Sequence, residues 1–68
     1  MIGMTAGQKL QALRKSNNLS VDNVCDSLYI SKSSLNKYET NRRVPRDDVK
    51  KRIAEFYGVS VESIFFEN

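Results

Sequence analysis

Histidine is absent from this 68-residue chain and cysteine occurs once, at Cys25. Those two facts exclude a disulfide framework within the chain and a zinc finger, which need clusters of these residues. No apolar run approaches the stretch of about 18 residues that a membrane span requires. Met1 to Thr5 is too short and uncharged for a signal peptide, so a cytoplasmic protein without membrane attachment is expected. The chain also lacks a paired-carboxylate pattern and a glycine-rich phosphate loop. With no imidazole base and one thiol on an apolar helix face, no catalytic constellation can be assembled, and neither an enzyme, a metal nor a cofactor is expected. Internal repeats, low-complexity segments and linkers are missing too, so residues 1–68 are expected to form a single domain. That size lies near the lower limit at which one apolar core holds a fold unaided.

What the chain does have is positive charge in one place. The formal net charge is +3, yet between Lys32 and Arg52 eight basic residues (Lys32, Lys37, Arg42, Arg43, Arg46, Lys50, Lys51, Arg52) face only three acids (Glu39, Asp47, Asp48). The rest of the chain carries more acids than bases. A charge run is often only a solvated face, so its meaning depends on what structure carries it.

Leu19 to Pro45 supplies that structure. Apolar residues recur at Val21, Val24, Cys25 and Leu28, and again at Leu35 and Tyr38, with a break near Tyr29 and Ile30. Two short helices joined by a tight turn, over about residues 20–40, fit this spacing. Ser20 and Ser31 each precede a helical run, where a hydroxyl caps an unpaired amide of the first turn. On the second helix Leu35 and Tyr38 take one side and leave Lys32, Ser33, Asn36 and Lys37 on another. Those four suit base edges: lysine can donate to guanine O6 and N7, asparagine pairs both ways with adenine, and serine adapts to either.

The flanking segments also read as helices. Thr5 and Gln8 make a capping box for a first helix running to about Ser16, with Ala6, Leu10 and Leu13 on its apolar face. Asn41 to Pro45 is a loop, with Pro45 suited to a position just inside the next helix. Asp47 and Asp48 suit the first turn of a fourth helix that ends at Gly58 and carries a buried stripe of Val49, Ile53, Phe56 and Tyr57. Ser60 then caps a final short helix reaching Phe65. Met1 to Met4 and Glu67 to Asn68 are expected to fray. The sum is an all-α fold of five helices.

These residues together resemble the Xre or Cro and phage-repressor type of helix-turn-helix protein. The resemblance spans about Gly7 to Phe65 and is carried by Leu10, Leu13-Arg14, Leu19-Ser20, Cys25, Leu28, Ile30-Ser31, Leu35, Glu39, Pro45, Ile53-Ala54 and Gly58-Val59-Ser60. It implies a compact, lambda-repressor-like DNA-binding domain in which the helix after Ser31 is the recognition helix. It also implies a structural ion pair of Arg14 with Glu39, and alanine as the usual residue at the Cys25 position. Five positions depart from the family pattern. The glutamine that begins the second helix is Val21, the glycine of the turn is Tyr29, and the glycine two residues past Glu39 is Asn41. Asp47 and Lys50 stand where leucines are usual in the fourth helix, which thins the core there.

Base contacts are therefore expected from Lys32, Ser33, Asn36 and Lys37, and phosphate contacts from Ser31, Asn41, Arg42 and Arg43. Phe65 and Phe66 are consecutive, so one is expected in the core and the other exposed; with Ile64 they suggest a homodimer seam. The leading expectation is a sequence-specific transcriptional regulator, a small dimeric repressor of phage, mobile-element or toxin-antitoxin type, on a near-palindromic double-stranded operator. The alternative is a protein-interaction module or antitoxin that uses the same fold to bind a protein partner.

Overall fold

The computed structural model describes residues 3–66 as five helices: α1 (Ala6–Ser16), α2 (Val21–Leu28), α3 (Lys32–Glu39), α4 (Asp47–Tyr57) and α5 (Val61–Phe65). The fraying expected of Met1, Ile2, Glu67 and Asn68 lies outside the described residues. Each of four helices opens with a hydroxyl that accepts an N–H from the first turn: Thr5 from Gln8, Ser20 from Asn23, Ser31 from Ser34 and Ser60 from Ser63. At Thr5 and Ser20 the third helical side chain reciprocates, closing capping boxes. Only α4 starts differently. Its N-cap is Arg46, which makes no side-chain cap bond, so Asp47 and Asp48 alone favour its first turn. Pro45 is buried and precedes that cap, a correction to its expected place inside the helix.

The helix ends share one geometry. After α1, α2, α3 and α4 a residue in the left-handed region reverses the chain: Asn18 (φ 56°), Tyr29 (φ 56°), Asn41 (φ 62°) and Gly58 (φ 70°). In each case the next amide donates back over one turn, Leu19 to Arg14, Ile30 to Cys25, Arg42 to Lys37 and Val59 to Ala54. This is the Schellman closure, which satisfies carbonyls that a helix end leaves orphaned. Only one of the four reversing residues is glycine.

One side of each helix feeds a single core. Leu10 of α1, Val24, Cys25 and Leu28 of α2, Leu35 and Tyr38 of α3, Ile53 of α4 and Ile64 of α5 are buried together. Full burial of an aliphatic side chain of this kind contributes about 1.5 to 3 kcal/mol. Val21 packs against this cluster from its edge, as do Val49, Tyr57 and Phe65. The stripe expected on α4 needs one correction. Phe56 is 36% exposed and meets the Tyr57 ring edge-on at 5.0 Å, while Ala54 is buried beside Ile53.

Burial pushes the Cys25 thiol above its ordinary pKa, so it behaves as a small buried hydrophobe rather than a reactive thiolate. Among the described residues no helix is long and apolar enough to cross a membrane.

Candidate nucleic-acid interface

The site is built on α3, and α3 is fixed from behind. Leu35 and Tyr38 enter the core, and Glu39 is buried although it is charged. Arg14 compensates it through two parallel bonds, Nε to Oε2 at 2.9 Å and Nη2 to Oε1 at 3.2 Å. The forked guanidinium matches a carboxylate in this geometry and resists rotation. Donating these hydrogen bonds to Glu39 raises the Arg14 pKa further above its already high value. Arg14 Nη1 also donates to the Leu19 carbonyl, and Gln11 Nε2 to the Glu39 carbonyl. Tyr57 lies within the field of the same pair; burial is the main cause that pushes its phenol up to about 12.

A second tie holds the far end of α3. Asn41 Oδ1 accepts the Gly7 amide at 3.0 Å and Asn41 Nδ2 donates to Thr5 Oγ1 at 2.9 Å. Gly7 has to be glycine for this approach, because a Cβ there would stand 2.6 Å from the Glu39 carbonyl oxygen. Asn41 thus has a structural task beside the phosphate contact expected of it. Its carbonyl oxygen and one amide hydrogen are committed to α1.

The opposite face of α3 is open. Lys32, Ser33 and Asn36 are exposed and share it, and Lys37 follows on its flank, half-buried. Ser31 is exposed at the helix start, but its hydroxyl accepts the Ser34 amide and donates to Ser34 Oγ, each at 3.0 Å. That hydroxyl caps the helix, which leaves the amides of Lys32 and Ser33 to face an anion. Arg42 and Arg43 are exposed in the loop beyond, and both of their amides return to the Lys37 carbonyl, at 2.8 and 3.3 Å. That closure carries two guanidinium groups beside the C-terminal end of the same helix. Of the three C-terminal residues expected at a dimer seam, Ile64 is 1% exposed and sits inside the core of its own chain, so it has no surface to offer. Phe66 is 52% exposed and Phe65 is half-buried, with the Lys50 ammonium 5.5 to 5.6 Å from both ring centres.

Two contacts near the site join residues distant in sequence. Lys32 Nζ lies 2.9 Å from Asp22 Oδ1, joining the first turn of α2 to the first residue of α3. Arg52 Nη1 donates to the Leu28 carbonyl at 2.8 Å, pinning the end of α2 to α4. Neither pair has a local sequence signature, since their partners are 10 and 24 residues apart.

A helix pair with a braced second helix, an open polar face and a basic loop is the architecture of a helix-turn-helix domain. The family model of that description matches residues 7–66, and the chain belongs to this family. Among curated proteins it is similar to the HTH-type transcriptional activator BcrR of Enterococcus faecalis, at 30% identity over 61 residues. That match takes in 90% of this chain and 30% of the relative, so the chain spans about a third of the relative's length.

Proposed function

We propose that the chain is a sequence-specific DNA-binding transcription regulator of the Xre or Cro and phage-repressor type. In this reading α3 lies in the major groove, with Lys32, Ser33, Asn36 and Lys37 toward base edges. Arg42 and Arg43 neutralise phosphates at its far end, as do the amides of the first turn at the near end. The observation that carries the proposal is the contrast between the two sides of α3, one locked by Leu35, Tyr38 and the Glu39–Arg14 pair, the other exposed and polar. Rigid support of a reading surface is what base-edge hydrogen bonding requires.

The chain acts in this reading as a small homodimer on a near-palindromic operator, with the exposed Phe66 ring at the seam. Repression by occupancy is the simplest mode for a domain of this size. The name of the relative supports a second mode, activation, in which the bound domain also touches the transcription machinery. A promoter–reporter measurement with and without the chain separates the two by sign.

Sequence enrichment from a randomised duplex pool at about 150 mM salt, where nonspecific phosphate contacts are weakened, tests the proposal. A near-palindromic consensus is expected. A pool that stays random, together with a tight complex with another protein, would favour the protein-interaction reading instead.

A further inference from the structure

Lys32 and Asp22 form an ion pair in which both partners are largely exposed, with side-chain exposures of 71% and 65%. A pair so open to water adds little to folding stability, so stability does not explain it. Its position does more. Lys32 is the first residue of α3 and Asp22 lies in the first turn of α2, so the pair stands at the end of α3 that a helix-turn-helix domain turns toward the bases.

The surrounding charge sharpens the question. Between Lys15 and Lys32 the only charged residues are Asp22 and Asp26, and both carboxylates act on the Lys32 ammonium. This tip therefore carries two negative charges against one positive, beside a helix otherwise suited to a polyanion. A carboxylate here weakens general attraction to phosphate and has to bring some other advantage.

We infer that Asp22 is a specificity-determining residue and that the Asp22–Lys32 pair reads a G·C base pair as one unit. The inference rests on α3 being the recognition helix. One ammonium hydrogen is directed at Asp22, which leaves two donors on that nitrogen. Guanine presents two major-groove acceptors, O6 and N7, and the paired cytosine presents the N4 amino donor. Lys32 supplies the donors, and the second oxygen of Asp22 supplies an acceptor for the cytosine amino group. An A·T pair offers a different order of groups, an amino donor beside N7 and a carbonyl with a methyl group on the partner base, so the carboxylate and ammonium meet the wrong partners. The same carboxylate keeps Lys32 from settling on phosphate, which suppresses binding to unrelated sequence.

The test starts from the duplex that the wild-type chain selects and a second duplex in which each G·C pair under the helix start is changed to A·T. Binding of wild type, Asp22→Asn, Lys32→Ala and the double variant is measured on both, and on a random 20-base-pair duplex across a salt series. Asp22→Ser serves as a second neutral variant should asparagine make contacts of its own, and thermal melts verify that each variant folds. Asp22→Asn is expected to bind the random duplex several-fold more tightly, with a salt slope steeper by about one unit, and to lose about tenfold in discrimination. In the Lys32→Ala background the same change should leave discrimination unaltered. A wild-type chain that selects a site, with Asp22→Asn and Asp22→Ser matching it on all three duplexes, would overturn this inference alone. A wild-type chain that selects nothing would overturn the recognition-helix reading and this inference with it.

Discussion

The turns on either side of α3 have the same backbone and opposite supports. Tyr29 precedes α3 at φ 56° and Asn41 follows it at φ 62°, both in the left-handed region that disfavours a side chain. Asn41 recovers the cost through two hydrogen bonds into α1. The Tyr29 side chain is instead 88% exposed, and the hydrogen bonds that close its turn are made by backbone. One turn is a structural joint. The other holds a bulky residue in a conformation that costs about 1 to 2 kcal/mol, with its ring presented to solvent. The helix between them is thus anchored at its C-terminal end and held mainly by its caps and the α2 packing at its N-terminal end, where base reading is proposed.

Breaking the anchored end should have the largest effect. Glu39→Gln leaves Arg14 partly buried without its charge partner and should cost about 3 kcal/mol in denaturant unfolding, while the sequence preference of the folded protein is retained. Unchanged stability with lost binding would move Glu39 into the DNA site. Gly7→Ala drives a Cβ into the Glu39 carbonyl, and about 2 kcal/mol of destabilisation is expected from the overpacking. Asn41→Gly relieves the backbone but removes both ties to α1, for a net loss of about 1 kcal/mol. Tyr29→Gly should act in the opposite direction, stabilising by up to about 1 kcal/mol, because no comparable side-chain tie is removed. Equal signs for the last two variants, read by the same thermal melts, would erase the contrast between the turns.

The smallest effect is one of pH. The Tyr57 phenol is pushed up to about 12 in the folded chain, mainly by burial, so the folded state holds its proton more tightly than the unfolded chain does. Stability linked to this group is fully present below about pH 10, the ordinary tyrosine value, and is lost as pH rises toward 12. Melts of Tyr57→Phe should show a shallower decline over that interval than wild type.

These comparisons also explain what was legible in the sequence. The helix starts were, because Thr5, Ser20, Ser31 and Ser60 act on amides three residues away. The apolar faces of α1 to α3 were, because periodicity is local. The Arg14–Glu39 pair came from the family resemblance rather than from spacing. The Gly7–Asn41 tie spans 34 residues and depends on how closely two helices approach, which no short pattern encodes. Phe56 departs from the expected stripe because positions 53, 56 and 57 fit a helical face as well as 53, 54 and 57 do, and only the fold decides between them. The capping bonds of Ser31 follow from local spacing, whereas the bonds of Asn41 to Gly7 and Thr5 cross 34 and 36 residues and have no local signature.

The central claim is that the open face of α3 and the loop after it meet DNA. Amide chemical-shift mapping on addition of a selected duplex tests it most directly. Perturbations concentrated at Lys32 to Lys37 and at Arg42 and Arg43, with α5 and the outer face of α4 unchanged, are the predicted result. Shifts confined to α4 and α5, or none at duplex concentrations well above the protein's, would contradict the account.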